Sequence, residues 1–169
     1  GVPIKRLGTQ LLAGSETLTS VVVPDSVTIL DVGALSYDNN LSEITLSSNL
    51  INIGWNAISS NDALTELTIP ASVCIIDSYA VSGCYALKKI VFEGACPLIG
   101  SEAFVMLSDD VVIYVPDDQI EEYKKVFEEN NKNLNIQPSG KPAVLYSAED
   151  YLDTENLTFD AETGSITGY

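Results

Sequence analysis

Apolar residues recur at fixed slots every 23 positions along this chain, with polar residues between them. The phrase "LTSVVVPDSV" (18–27) returns as "LTELTIPASV" (64–73), and half that offset exposes the full ladder. Leu18, Leu41, Leu64 and Leu87 head successive units. Val21, Ile44, Leu67, Ile90 and Ile113 follow, then Val23, Leu46, Ile69, Phe92 and Val115. The second half of each unit has its own columns. Val27, Leu50, Val73 and Cys96 share one, and Leu30, Ile53, Ile76 and Ile99 another. Next come a slot shared by glycine and aspartate (Gly8, Asp31, Gly54, Asp77, Gly100), an alanine slot (Ala34, Ala57, Ala80, Ala103) and a final apolar one (Leu12, Leu35, Ile58, Val81, Phe104).

A period in the twenties predicts a solenoid, because a unit of that size cannot bury its own apolar face and must stack on neighbours. The V-x-V and L-x-I alternation has period two, and its β-branched residues suit short strands. Stacking at one strand spacing, about 4.8 Å, sets equivalent residues above one another and makes the strands parallel. The Ala-plus-apolar segment predicts a helical or 3₁₀ turn on the opposite side. The Gly/Asp slot predicts a turn with an unusual backbone, where glycine is free and aspartate or asparagine is tolerated. After four to five coils, Asp118 and Glu121 form a capping pair for a helix over 117–131. Ile120, Tyr123 and Phe127 share one face of that helix, and it covers the last apolar layer. The expected fold is therefore an α/β solenoid with short parallel strands and a C-terminal capping helix. It spans residues 1–136, followed by the turn-rich linker "QPSGKP" (137–142) within a 137–169 extension.

The segments "LTELTIPASVCIIDSYAVSGC" (64–84) and "PLIGSEAF" (97–104) resemble the BspA-type leucine-rich repeat of bacterial surface proteins, a likeness covering roughly residues 2–136. Cys84 stands where that family often has a cysteine; Ser15, Asp38, Asn61 and Leu107 take the slot elsewhere. "VVIYVPDDQIEEYKK" (111–125) resembles the family's closing strand and helix, and "LTFDAETGSITGY" (157–169) the lead-in before such arrays. In relatives I-T-G-Y is soon followed by G-V-P-I, and this chain begins "GVPIKRLG". The resemblance implies a piece of a larger secreted or cell-surface bacterial protein. A monomer is the expectation from the acidity, with pairing of one molecule's tail on the first coil of the next, head to tail, as the alternative that the tail permits.

Charge narrows the partners. With 24 acidic and 8 basic residues the net charge is −16, and no Lys or Arg lies between Leu7 and Leu87. Nucleic acid needs basic clusters to displace its counterions, and an anionic membrane surface needs them too. Neither fits, and no run is long enough to span a bilayer. The acidity reads as a device for solubility. Cys74, Cys84 and Cys96 are too few and too scattered for a disulfide framework or a zinc site, and there is no histidine. A Ser or Cys triad of the common kind is excluded with it. The tail acids Asp150, Asp153, Glu155, Asp160 and Glu162 offer oxygens for calcium, but not with EF-hand spacing, and read as a solvated segment.

Binding is what remains. If Val21 and Val23 point inward, Ser20 and Val22 point outward, with Glu43 and Thr45, Glu66 and Thr68, Lys89 and Val91, and Val112 and Tyr114 above them. This predicts a continuous, mildly polar strip over five coils, the kind of surface solenoids use for recognition. Trp55, Tyr37, Tyr79 and Tyr85 sit in variable slots and form a second candidate patch suited to sugars or protein hot spots. Trp55 either faces solvent or folds back over its own coil. The expectation is a non-catalytic module, without cofactor or metal, that binds host protein, matrix or glycan; the alternative is a spacer projecting other domains.

Overall fold

In the computed structural model, residues 3–129 and 134–145 are described in full, with the backbone of residues 130, 158–160 and 165–167. Each coil contributes two short strands. On one side lie β2 (Ser20–Val22), β4 (Glu43–Thr45), β6 (Glu66–Ile69), β8 (Lys89–Phe92) and β10 (Val112–Val115). On the other lie β1 (Arg6–Leu7), β3 (Ile29–Leu30), β5 (Asn52–Ile53), β7 (Ile75–Ile76) and β9 (Leu98–Ile99), in one parallel five-stranded sheet. Partners are separated by one repeat, as in Arg6↔Ile29 and Asn52↔Ile75. The apolar ladders become columns of one shared core. Leu41, Leu64, Leu87, Leu30, Ile53 and Ile76 have no exposed surface, and Leu18 is half-buried in the first coil.

The stack has six rungs on the first side, where four to five coils were expected. The added rung is β11 (Asn135–Pro138), which pairs with β10 in the same register, Val112↔Asn135. The helix α1 (Ile120–Asn130) therefore replaces the second half of a coil, and the chain returns to the sheet after it. Tyr123 and Phe127 turn inward and are buried, as the pattern predicts. The expected capping pair does not form. Asp118 accepts from the Ala143 amide (2.8 Å) and Asp117 from the Gly140 amide (2.8 Å), so both carboxylates tie down the segment after β11. That segment crosses back over the coil below, where the Val144 amide donates to Glu93 O (2.9 Å). An antiparallel pair, β12 (Thr158–Asp160) and β13 (Ser165–Thr167), lies in the extension. The side chains of the tail acids, and the tail's expected contact with another molecule's first coil, lie outside the described residues.

The third side of each coil holds successive turns, not a helical segment. Ala34, Ala57, Ala80 and Ala103 donate back to Asp31, Gly54, Asp77 and Gly100, closing one turn per coil. The left-handed residue is two positions beyond the Gly/Asp slot, at Gln10, Gly33, Asn56, Tyr79 and Glu102 (φ 53° to 62°). This is where a type II turn places its positive φ. A second left-handed column runs through Gly14, Tyr37, Ser60, Gly83 and Met106 (φ 56° to 73°). The Gly/Asp slot itself has ordinary φ, and glycine is required at Gly54 and Gly100 by spacing. An added Cβ would lie 2.6 Å from Leu30 O at one and 2.5 Å from Ser78 N at the other. Between coils, turn-side amides donate upward, as in Leu35 N to Ala57 O (2.8 Å) and Val81 N to Ala103 O (2.9 Å).

Two substitutions of opposite sign test the second column. Met106 is 61% exposed at φ 57°, so Met106→Gly relieves strain at little packing loss. It should stabilise by about 0.5 kcal/mol, the left-handed penalty less the entropy of glycine. Gly83→Ala forces Cβ to 3.1 Å from Ser60 Oγ at φ +71° and should cost about 1–2 kcal/mol. Thermal denaturation of the two variants reads both signs.

Candidate interaction surface

The outward strip of the first sheet forms as the alternation requires. Ser20, Glu43, Thr45, Glu66 and Thr68 are exposed, and Val22 is 74% exposed. It is not continuous. β2 pairs with β4, and β6 with β8, β10 and β11, but no ladder joins β4 to β6. At this break lies a groove of about 500 Å³ lined by Thr45, Leu46, Thr68, Pro70, Ala71 and Val144. Beyond it the strip is partly covered. Lys89, Val91, Val112 and Tyr114 are half-buried, and Lys89 Nζ meets Glu66 Oε2 at 3.1 Å. Val91 also lines a smaller groove with Pro142 and Val144 of the crossing segment. The strip is thus an exposed half on β2, β4 and β6 and a shielded half on β8 and β10.

The aromatic residues divide similarly. Trp55 faces solvent at 48% exposure and meets Tyr79 edge to face, centroids 6.5 Å apart. Tyr79 occupies the left-handed turn position, and interaction of its hydroxyl with the Glu102 carboxylate raises its pKa. Tyr37 and Tyr85 are each 56% exposed in other slots, and no ring contact joins them to the Trp55–Tyr79 pair.

The second sheet adds residues that the period-two reading did not single out. Ile75 and Leu98 are register partners on the outward face of β7 and β9, and Leu98 is 74% exposed. Val32, 41% exposed, precedes Trp55 by one repeat. Strands of two residues are too short to show alternation, so only the column Arg6, Ile29, Asn52, Ile75, Leu98 could have revealed this face. Its first member is polar: Arg6 forms an ion pair with Asp31 of the next coil.

Two of the three thiols, Cys84 and Cys96, are poor nucleophiles. Burial pushes Cys84 up to about 11. Burial pushes Cys96 up to about 12, with the charge of Glu122 adding to it. A thiol so raised stays protonated near pH 7 and is inert. Cys96 is half-buried, where a core slot was expected. Among the described residues no cluster of three or more His, Cys, Asp or Glu could hold a metal, and no helix is long and apolar enough to cross a membrane.

These stacked coils, with their paired short strands and turn ladders, make the protein a leucine-rich repeat solenoid. The chain belongs to the BspA type leucine rich repeat region family, which matches residues 5–135 in six copies. Among solved structures it is similar to a leucine rich cell surface protein from Faecalibacterium prausnitzii A2-165. That match has 22% identity and a TM-score of 0.52, and covers 88% of this chain and 31% of the other. It is also similar to the pneumococcal vaccine antigen PcpA, with 18% identity and a TM-score of 0.56, covering 85% of this chain and 40% of the other. The chain thus spans well under half the length of these neighbours. No curated protein matches it.

Proposed function

We propose that the chain is a non-catalytic interaction module of a secreted or cell-surface bacterial protein, binding a protein or glycan partner through its solenoid surface. The observation that carries this reading is exposed apolar surface in two pairs, one on the turn side and one on the second sheet. Trp55 stands against Tyr79, and Ile75 and Leu98 lie side by side on adjacent strands. Exposed aromatics of this kind supply stacking area at small entropic cost, which suits sugars and protein hot spots. The surface location is supported by the neighbours, one described as a cell surface protein and the other as a pneumococcal antigen.

A spacer role is the second reading. It is favoured by the small share of the neighbours' length that the chain covers, 31% and 40%, which suits one segment of a longer rod. The readings separate in one experiment. Wild-type chain and a Trp55→Ala/Leu98→Ser double variant are compared on immobilised extracellular-matrix proteins and a glycan array. A binder should lose at least tenfold in affinity with its melting temperature little changed, since both side chains are solvent-facing. Identical binding by the two proteins, or none by either, favours the spacer.

A further inference from the structure

Position 38 belongs to a slot that runs up the turn side through Ser15, Asp38, Asn61 and Cys84. Where the slot holds Asn61 or Cys84, it supplies a donor to backbone carbonyls. Asn61 Nδ2 donates to Leu35 O and Ile58 O, each at 2.8 Å, and Cys84 Sγ donates to Ile58 O at 3.3 Å. The slot also accepts one bond from the coil before it. Asn61 Oδ1 takes the Asp38 amide at 3.0 Å, and Asp38 Oδ1 takes the Ser15 amide. Asp38 therefore sits as Asn61 sits, with Oδ1 in place of the amide oxygen and Oδ2 in place of the amide nitrogen. One repeat back, the carbonyls equivalent to those that Asn61 serves belong to Leu12 and Leu35.

Asp38 has no exposed surface, and its Oδ2 has no hydrogen-bond partner. An ionised carboxylate can only accept, so Oδ2 as an anion would turn lone pairs toward carbonyl lone pairs. A neutral acid has one O–H to donate and repeats the Asn61 arrangement. No cation opposes this, because the chain has no Lys or Arg between Leu7 and Leu87. The ionisable groups within one residue of the slot in the three stacked coils are Glu16, Tyr37 and Asp62. Glu16 and Asp62 are acidic, so neither offers the opposite charge that would favour an ionised Asp38.

We infer that Asp38 is carried as the neutral acid, donating from Oδ2 in the manner of Asn61, and that releasing this proton to water loosens the first coil from the second. Burial raises the pKa of this carboxyl, against the smaller lowering effect of the Ser15 amide. The linkage follows from that direction. Below the ordinary aspartate pKa, about 3.9, both folded and unfolded chains hold the proton and there is no penalty. As pH rises from there to the raised folded value, stability falls, and above it the loss is complete. Asp25 works in the opposite sense, since hydrogen bonds from the Ser48 amide and hydroxyl lower its pKa, so the whole-protein pH profile does not isolate Asp38.

Carbon-13 NMR of the Asp38 carboxyl in the full chain isolates it, and Asp38→Asn gives a second readout. The expected titration midpoint lies at least one unit above about 3.9. The Ser15 amide should exchange faster once the midpoint is passed. Asp38→Asn, which supplies the donor at every pH, should raise the melting temperature at pH 7 by roughly 3 °C or more and much less at pH 4. A midpoint at or below about 3.9 overturns the inference whatever the variant does. So does a melting temperature lowered equally at both pH values.

Discussion

Phe92→Ala should lower stability by about 3–5 kcal/mol, the usual cost of emptying a buried phenylalanine site. Phe92 ends β8 at 2% exposure and stands at the centre of the ring cluster that joins the solenoid to its helix. Its centroid lies 4.9 Å from Tyr123, 5.9 Å from Phe104 and 6.2 Å from Phe127. Phe104 and Phe127 meet in turn at 5.5 Å. Edge-to-face pairs add to the area term, so the deleted ring takes several contacts with it. Little relaxation can fill the gap, because the Tyr123 hydroxyl anchors the helix by donating toward Gly94 O and Ala95 O, each at 3.2 Å. The cavity term should therefore be near its full size. The measurement is chemical denaturation, with a melting temperature lower by roughly 10 °C as its thermal counterpart. A loss below about 1 kcal/mol would mean that the helix repacks freely and is not part of the core.

Most of the fold was legible because a solenoid repeats its burial requirement. Leu41, Leu64 and Leu87 each meet the same surroundings, so one residue type recurs and the eye finds the period. Tyr123 and Phe127 could be placed for the same reason, as the apolar face of a helix with nowhere else to pack. What could not be read was set by backbone geometry. The left-handed column Gln10, Gly33, Asn56, Tyr79, Glu102 shows no shared residue type. Its conformation is imposed by turn and inter-coil hydrogen bonds, and every residue there except Gly33 bears the strain. The break between β4 and β6 left no mark either, since Glu43, Thr45, Glu66 and Thr68 are as polar as a paired face would be. The helix was visible, but its position within a coil was not. Only the register Ile113↔Ile136 across it shows that the sheet continues. At the candidate surface, the variable slot of Trp55 left exposure and folding back over its coil equally open, and the residue is exposed. Its partner Tyr79 was seen as a residue but not as a contact, and Leu98 was hidden in a strand of two residues.

The glycines of the slot shared with aspartate separate the two explanations that sequence alone left merged. If left-handed backbone were the reason for glycine, alanine would be costly at every glycine in the column. If coil spacing is the reason, the cost should follow the local gap. Gly100→Ala puts a Cβ 2.5 Å from Ser78 N, 2.8 Å from Asp77 C and 2.9 Å from Ser78 Oγ. Two of these atoms are backbone and cannot swing aside. The coils must part, which strains the bond from the Gly100 amide to Ile76 O at 2.7 Å and the β7–β9 pairing beside it. The expected loss is roughly 3 kcal/mol, at the upper end of overpacking penalties. Gly8→Ala occupies the same slot, with ordinary φ and no atom within 4 Å of the new Cβ. It should be neutral or stabilise by about 0.5 kcal/mol, through the smaller entropy of the unfolded chain. Paired denaturation curves decide the matter: equal losses at both positions would restore the turn explanation, whereas a loss confined to Gly100 makes the slot a measure of how closely the coils approach.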